Sequence, residues 1–294
     1  MNIGFIGLGA IGYPIFRHIV EKYPVRFFAR RQEVIEKARK DGGIFMPSNV
    51  ALSKECDIIV VFVNTYNQCE EVVAEIASVE KTGRIVLIGA TVSPLEIRDL
   101  CAKYPEITFL DSPVTGGVKG AEDGVLTTML SGNKSAAEKV RPIIETYSNK
   151  IIYVDEFAGQ AEVLKALVQL LVGINSVAMS EAMTLGVKAG LPPEMIYDTI
   201  TNSAGTSRIF ENRGQKVIAR DFNKRGTINI INKDLTIASQ LAMEKRAPMF
   251  LGAIAKQMFQ IAAHQNDPLE DFNAVIKVYE NMAGVQVKST DKEE

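Results

Sequence analysis

Three glycines near the amino terminus follow a short apolar run at fixed spacing. Gly7, Gly9 and Gly12 form a G-x-G-x-x-G pattern directly after residues 3–6. In this pattern the first glycine permits a tight turn, the second lets the backbone approach a pyrophosphate, and the third lets a helix pack on the strand. Unpaired N–H groups and the helix dipole then favour an anion. The pattern predicts a dinucleotide cradle formed by Gly7, Leu8, Gly9, Ala10, Ile11 and Gly12.

Two arginines stand at the end of the next β-rich run. In a dinucleotide-binding sheet an acidic residue at this point accepts hydrogen bonds from the ribose 2′-hydroxyl of NAD. Here the run ends in Phe28-Ala29-Arg30-Arg31, and a guanidinium is suited to a phosphate. We therefore expect NADP(H), with NAD less favoured. The alternative, that Arg30 and Arg31 are solvated surface side chains whose field Glu33 weakens, stays open.

A second glycine cluster follows a later β-rich run, in the segment D-S-P-V-T-G-G at residues 111–117. A hydroxyl followed by two glycines can present successive backbone N–H groups as a concave nest for an anion. Thr115, Gly116 and Gly117 are therefore candidates for holding a substrate carboxylate. A simple turn is the alternative reading of the same residues.

Two lysines are candidates for chemistry. Lys165 lies in a long apolar stretch one helical turn before Gln169, so their side chains share a face. Desolvation lowers the pKa of a lysine toward the range of a general acid or base, although a helical lysine often extends its ammonium to water instead. Lys233 and Asp234 are predicted to open a later helix. The alternative to a chemical role is that they form an ordinary charge pattern at a helix start.

Composition limits the function classes. The 294 residues suggest two domains. A net charge of −2 offers nucleic acid or an anionic membrane no attraction. The three cysteines fit no metal-ligand spacing, so we expect no metal and a reducing compartment. No signal peptide precedes the first strand, which favours the cytoplasm. The apolar stretch 163–187 contains charged and amide side chains and is interpreted as a buried helix, not a membrane span.

The pattern of elements changes along the chain. Up to about residue 155, β-rich runs alternate with helical stretches, which predicts a doubly wound, mostly parallel Rossmann sheet. Beyond Phe157 helical periodicity continues from about Ala161, with breaks at 190–193, 202–206 and 266–268. We expect an NAD(P)-binding Rossmann domain at 1–158, an all-helical substrate and oligomerisation domain at 159–288 that opens on a joining helix of roughly 28 residues, and a disordered tail at 289–294.

The order of these motifs resembles the β-hydroxyacid dehydrogenase family, which includes 3-hydroxyisobutyrate and tartronate semialdehyde enzymes. Residues 7–14 resemble its G-L-G-x-M-G-x-P, residues 111–117 its D-x-P-V-S-G-G, and residues 159–169 its G-x-G-x-x-x-K-x-x-N-N. Residues 233–235 match its K-D-L, and the threonine of its S-T-x-x-P cofactor loop matches Thr91. The resemblance spans almost the whole chain.

The resemblance implies an oxidoreductase that transfers a hydride between NADP and a small 3-hydroxy acid or semialdehyde. It implies Lys165 as the catalytic residue, and a homodimer or homotetramer. Implied for the substrate are Thr115, Gly116, Gly117, Gln169 and Lys233. Implied for the cofactor are residues 7–12, Arg30, Arg31, Val63, Asn64, Thr91 and Lys233.

The sequence departs from the family pattern near the expected chemistry. Val168 and Gln169 replace paired asparagines, and Ala161 replaces a glycine. The Gln169 amide lies one methylene further out, which we expect to alter substrate shape more than mechanism. Val168 disfavours the 6-phosphogluconate dehydrogenases, which carry histidine there. His18 and His264 are interpreted as packing or surface residues.

Two alternative functions remain. An imine reductase shares the expected architecture and preference for NADPH, but usually has a different proton donor at the lysine position. A dinucleotide-binding protein without turnover is the other alternative, which Gln169 keeps open and Lys165 disfavours.

Overall fold

The computed structural model describes residues 2–289. The chain divides into two compact units, and the division falls between Lys165 and Ala166. The sequence-based boundary at 158–159 lies slightly earlier and stays a prediction. Of the predicted tail, only Ser289 lies within the described residues, and its N–H donates to the carbonyl of Ile218.

The first unit contains a largely parallel sheet with strand order β3-β2-β1-β4-β5-β6-β8-β7, and β9 pairs with β8. Strands β1 to β6 run parallel, β8 is antiparallel to β6 and β7, and β9 is parallel to β8. This confirms the predicted fold class. The strands are β1 Ile3–Ile6, β2 Val25–Phe28, β3 Ile44–Phe45, β4 Ile58–Val61, β5 Ile85–Ile88, β6 Thr108–Asp111, β7 Val114–Thr115, β8 Leu126–Gly132 and β9 Ser148–Asp155.

Helices cover both faces of this sheet, and the central strands are apolar on both sides. In β4, Ile58 and Val60 belong to the core on one face, and Ile59 and Val61 to the core on the other. Successive side chains of a strand point to opposite faces, so a parallel strand buried on both faces becomes a continuous apolar run. The helices are α1 Gly12–Val20, α2 Gln32–Lys40, α3 Asn49–Glu55, α4 Tyr66–Ala77, α5 Pro94–Lys103, α6 Gly117–Glu122 and α7 Lys134–Ile144.

The strand order reverses direction next to β1, which lies between β2 and β4. The last residues of four parallel strands are aligned, because Ile6 pairs with both Phe28 and Val61, and Val61 pairs with Ile88. The loops after these strands therefore leave the same edge of the sheet. Open α/β sheets bind ligands at this edge, beside the point where the order reverses.

Helices form the second unit, as the sequence predicts. They are α8 Gln160–Lys188, which spans the division between the units, α9 Pro193–Thr201, α10 Arg208–Ile218, α11 Ile228–Glu244, α12 Phe250–Gln265, a 3₁₀ turn at Phe272–Val275 and α13 Ile276–Ala283. The predicted breaks at 202–206 and 266–268 fall between helices, and the break at 190–193 overlaps α9 by one residue, Pro193.

Two further breaks, at 219–227 and 245–249, were not predicted. Arg220 and Arg246 have φ of 55° and 53°. After each, a backbone N–H donates to a carbonyl five residues earlier, Asp221 to Lys216 and Ala247 to Ala242. This arrangement ends a helix and usually places glycine at the left-handed position. Arginine there gives no sequence signal for the break.

One predicted helix start is wrong. Lys233 and Asp234 were expected to open a helix, but they lie in the second turn of α11, which begins at Ile228. Thr227 precedes this helix, and its hydroxyl accepts a hydrogen bond from the N–H of Ile230. Threonine is a favoured residue at this capping position. The lysine therefore lies within a helix rather than at its flexible end.

Helix α8 is long and apolar enough to cross a membrane, by length and composition only. A core helix of a water-soluble domain meets the same criterion, and α8 carries the buried polar residues Glu162, Lys165 and Gln169. Charged and amide groups are expensive in a bilayer centre. We therefore keep the interpretation of α8 as a core helix.

The surroundings of the three cysteines and of His18 indicate structural roles. Burial raises the pKa of Cys69 to about 12 and that of Cys56 and Cys101 to about 11. Such thiols are weak nucleophiles near neutral pH, because the thiolate is the reactive form. Nε2 of His18 lies 3.1 Å from the carbonyl oxygen of Ala121 and 3.0 Å from that of Glu122. This places the histidine in packing between α1 and α6.

Candidate active site

Two of the three glycines in the first loop are required by the packing of the protein itself. Gly7 has φ of 101°, and a Cβ there would lie 2.1 Å from the carbonyl oxygen of Phe62. A Cβ on Gly12 would lie 2.0 Å from the carbonyl oxygen of Gly7. Both distances are far below van der Waals contact, so the turn from β1 into α1 tolerates only glycine at these positions.

Gly9 is different, because no atom other than those of Gly9 and its chain neighbours lies within 4 Å of the position of a Cβ on this residue. Nothing in the described protein requires glycine there. Helix α1 starts beside it without a side-chain cap, and its first turn carries no acidic residue. An open approach to uncapped backbone N–H groups is suited to a pyrophosphate. The residues present therefore fit a dinucleotide, held by the loop 7–12.

Of the other predicted cofactor residues, Lys233 lies in α11 of the second unit, and the rest lie in loops that leave the same edge of the sheet. Arg30 and Arg31 follow β2 and are exposed, and Asn64 follows β4. The guanidinium of Arg31 lies 3.1 Å from the carboxylate of Glu33, with both side chains mostly exposed. An ion pair of this kind contributes about 0–1 kcal/mol, so it does little to hold the arginine away from a phosphate.

The loops after β4 and β5 are held by helix caps. After β4, the Thr65 hydroxyl caps α4 by accepting from the N–H of Gln68 at 3.3 Å, and the N–H of Asn64 donates to Oε1 of Gln68 at 3.1 Å. After β5, Thr91 is partly exposed, and Ser93 caps α5 in a reciprocal pair of bonds with Glu96. These caps fix where the two loops begin their helices. Val63, Asn64 and Thr91 are thus placed at the edge where the glycine loop also lies.

The second glycine loop exposes its backbone. β7 ends at Thr115, and Gly116 and Gly117 follow with φ of 133° and 67°. A Cβ on Gly116 would lie 2.9 Å from Cδ2 of Leu126, whereas the Cβ position of Gly117 is open. Positive φ at two successive residues favours glycine at both. The structure therefore forms an exposed turn with the composition of an anion nest.

Lys165 lies early in α8 and is 7% exposed. The first turn of this helix is attached to the sheet by two buried side chains. Asp111 accepts hydrogen bonds from the N–H groups of Gly159 and Glu162, at 2.7 and 3.1 Å. The hydroxyl of Ser131 accepts one from the N–H of Ala161, at 2.9 Å, and donates to Asp111 at 2.6 Å. Lys165 thus stands on a tightly held helix start.

Burial raises the pKa of Asp111 above its usual range, although the bonds from Ser131, Gly159 and Glu162 favour its ionised form. Desolvation disfavours a charged carboxylate, and here it outweighs the hydrogen bonds. Two of the groups that face Asp111, the N–H groups of Gly159 and Glu162, can only donate. The ionised carboxylate is therefore the form that accepts best from the helix start.

In the second unit, Gln169 and the K-D pair come together. Nε2 of Gln169 donates to Oδ2 of Asp234 at 2.5 Å, and Nζ of Lys233 lies 3.1 Å from Oδ1 of the same carboxylate. Asp234 is 2% exposed. A Cβ on Gly173 would lie 2.8 Å from Cδ2 of Leu235, so this glycine permits the close approach of α8 and α11 that joins the two polar groups.

Sequence reasoning missed three polar residues at these places. Asp234 and Asp111 entered only as letters of motifs, and Ser131 belongs to none of the motifs. The available signals were an acidic residue beside Lys233 and an acidic residue ending an apolar strand. Neither signal identifies a hydrogen-bond partner distant in sequence. Within residues 2–289, no group of three or more His, Cys, Asp or Glu residues is arranged to hold a metal.

Family models match both parts of the chain. Residues 2–155 match a model described as the NAD binding domain of 6-phosphogluconate dehydrogenase. Residues 159–279 match one described as NAD-binding of NADP-dependent 3-hydroxyisobutyrate dehydrogenase. The two matches together cover the predicted Rossmann sheet and most of the helical part.

Relatives match over nearly the full length. An L-threonate dehydrogenase of Cupriavidus necator is 32% identical, and the match covers 95% of this chain and 96% of the relative. A 2-(hydroxymethyl)glutarate dehydrogenase of Eubacterium barkeri is 31% identical, over 98% of this chain and 97% of the relative. A crystal structure of 3-hydroxyisobutyrate dehydrogenase from Salmonella typhimurium has a TM-score of 0.86 at 28% identity, covering 95% of this chain and 99% of that chain.

The contrast among the glycines generates a test of the dinucleotide cradle. Gly9→Ala should leave the melting temperature nearly unchanged, since its Cβ meets no atom beyond its chain neighbours, and should raise the Kd for NADPH at least about tenfold, or about 1.4 kcal/mol. Fluorescence titration and thermal unfolding measure the two quantities.

Gly43→Ala is the matched control, because its Cβ would lie 2.5 Å from the Phe16 ring inside the core. It should lower the melting temperature and leave the Kd of the folded protein unchanged. Native NADPH affinity in Gly9→Ala would contradict the assignment of this loop.

Proposed function

The chain belongs to the β-hydroxyacid dehydrogenase family, and we propose that it transfers a hydride reversibly between NADP(H) and a small 3-hydroxy acid or its semialdehyde. Its relatives are named dehydrogenases and reductases acting on hydroxy acids, so the general class, an NAD(P)-binding oxidoreductase acting on CH–OH groups, follows from the family. The choice of NADP, the 3-hydroxy acid and the residue roles are the proposal.

The observation that carries the proposal is the buried position of Lys165 in α8. When bound, the nicotinamide supplies or accepts the hydride. Lys165 supplies the matching proton: its ammonium donates to the carbonyl oxygen during reduction, and its amine takes the hydroxyl proton during oxidation. A lysine placed in this way acts as a general acid in one direction and a general base in the other.

The substrate carboxylate is assigned to the loop Thr115-Gly116-Gly117. Positive φ at both glycines and their exposure leave the backbone accessible. A threonine hydroxyl and backbone N–H groups are suitable donors to a carboxylate. These donors fix the orientation of a short acid without requiring a deep pocket.

Gln169 is assigned to the substrate's reacting end. Because its Nε2 donates to Asp234, the amide has a fixed orientation, and Oε1 faces away from that carboxylate. Lys233 is half-exposed beside Asp234 and contributes positive charge for the substrate and the cofactor. Glutamine in place of asparagine moves the amide outward by one methylene, which we expect to change the preferred substrate.

The cofactor is assigned to the edge formed by residues 7–12, Val63, Asn64 and Thr91, with the 2′-phosphate on Arg30 and Arg31. The open Cβ position of Gly9 supports the placement of the pyrophosphate, and the two exposed guanidiniums support NADP over NAD. A cytoplasmic homodimer or homotetramer remains the expectation for location and assembly.

Replacement of Lys165 tests the reaction. Lys165→Met should lower kcat about 10²- to 10⁴-fold, the usual contribution of a positioned proton donor, and should leave the Kd for NADPH nearly unchanged. Lys188→Met is the matched control, since Lys188 lies on the same helix and bonds to the carbonyl of Ala283. Oxidation and reduction are followed by absorbance of the reduced nicotinamide.

The substrate panel for this experiment contains C3 to C6 hydroxy acids, short semialdehydes and cyclic imines. Turnover of hydroxy acids or semialdehydes that disappears in Lys165→Met supports the proposal. Turnover of imines alone would establish the imine reductase alternative, and tight NADPH binding without any turnover would establish the non-catalytic one. Full activity of Lys165→Met would contradict the role of this lysine.

Replacement of both arginines tests the cofactor preference. The double variant Arg30→Ala, Arg31→Ala should raise the Kd for NADPH about 10- to 100-fold, because a hydrogen bond to a charged group contributes about 1.5–3 kcal/mol. The Kd for NADH should change much less, since NADH has no 2′-phosphate.

Arg141→Ala is the matched control, because Arg141 is half-exposed in the same unit and pairs with Glu145. It should change neither constant. Equal losses of NADPH and NADH affinity in the double variant would contradict the assignment of the 2′-phosphate.

A further inference from the structure

The first turn of α8 lacks a cap of its own. The residue before the helix is Gly159, which has no side chain to accept a hydrogen bond. It has φ of 96°, and a Cβ would lie 2.9 Å from the carbonyl oxygen of Pro94. A serine, threonine or aspartate, the usual capping residues, therefore does not fit at this position.

The sheet supplies the missing cap. Asp111, the last residue of β6, and Ser131 of β8 are paired across the antiparallel ladder. Their oxygen atoms accept from the N–H groups of Gly159, Ala161 and Glu162. Both capping side chains are 0% exposed. Helix starts normally leave such N–H groups to a local side chain or to water, and here a buried carboxylate and a hydroxyl hold them.

The carboxylate residue Asp111 connects two parts of the proposed site. Asp111 begins the segment that leads to Thr115, and it holds the helix turn that precedes Lys165. Lys165 is three residues beyond Glu162, about 4.5 Å along the helix axis. No glycine or proline stands between them to provide a hinge. The position of the lysine backbone is therefore set by the cap.

We propose that Asp111, together with Ser131, is the positioning residue of Lys165: it fixes the start of α8 relative to the Thr115 loop, so that the ammonium and the carboxylate-binding donors keep a constant separation. This proposal rests on the proposed function. Asp111 touches neither hydride nor proton in the reaction and acts through the helix.

Two substitutions weaken the cap to different degrees. Ser131→Ala removes the acceptor of the Ala161 N–H and one donor to Asp111. Asp111→Asn keeps the size of the side chain and puts an amide N–H₂ among donors. We expect kcat to fall about 10- to 100-fold, the order found when reacting groups move by about 1 Å, with larger loss in Asp111→Asn. The KM for substrate and the Kd for NADPH should change less than threefold.

Asn133→Ala is the matched control. Asn133 lies two residues beyond Ser131 and caps α7 by accepting from the N–H of Ala136 at 3.0 Å. Helix α7 carries none of the proposed chemistry. This variant should lower the melting temperature about as much as Ser131→Ala and leave kcat unchanged. Equal kcat losses in Ser131→Ala and Asn133→Ala would show a merely structural role and overturn the proposal.

A second readout does not need a substrate. Reductive methylation followed by mass spectrometry gives the labelling rate of Lys165 relative to Lys119, whose side chain is 83% exposed. The rate for Lys165 should rise at least about threefold in Ser131→Ala and stay native in Asn133→Ala. If Asp111→Asn does not fold, Ser131→Ala alone decides.

The outcomes separate the two proposals. Loss of activity in Lys165→Met with native kcat and native labelling in both cap variants would overturn the positioning role and leave the function standing. Full activity in Lys165→Met would contradict the function, and the labelling rates would still decide whether the cap positions the lysine. Increased labelling with reduced kcat in the cap variants supports both.

Discussion

A buried carboxylate connects the sheet to the helix that carries the proposed proton donor. An unpaired charge in a protein interior costs several kcal/mol, and Asp111 offsets that cost with two backbone N–H groups and the hydroxyl of Ser131. The same bonds satisfy N–H groups that the helix start cannot satisfy locally, because Gly159 has no side chain. One set of hydrogen bonds therefore stabilises both the buried carboxylate and the N–H groups of the helix start, each of which would be unfavourable if left unpaired.

Packing within the protein requires some of the glycines in and near the candidate site and does not require others. Gly7 and Gly12 are explained by contacts within the protein, and Gly173 by the approach of α8 to α11. Gly9 is not explained by such contacts, because a Cβ there would meet nothing within 4 Å beyond its chain neighbours. Similarly, the Gln169 amide is held by Asp234, so the departure from the family's asparagine is accommodated within a fixed hydrogen bond. These distinctions indicate where substitutions will affect binding and where they will affect folding.

The sequence predicted what depends on local periodicity and glycine spacing. The parallel sheet, the first glycine loop and the helical second part follow from such patterns. The start of α11 at Ile228 and the helix ends just before Arg220 and Arg246 did not, because the Thr227 cap was not used as a start signal and arginine seldom takes positive φ. The roles of Asp111, Ser131 and Asp234 depend on partners 20 to 65 residues away. No local pattern specifies those contacts.

The most direct test of the account is the position of one nitrogen atom. A crystal structure of the protein with NADP⁺ and an unreactive carboxylate analogue of the substrate would show the distance from Nζ of Lys165 to the analogue's reacting oxygen. The account predicts a separation of about 2.6–3.2 Å, as proton transfer requires, with the cap bonds of Asp111 intact. Another proton donor at that oxygen, with Lys165 beyond hydrogen-bond reach, would contradict it.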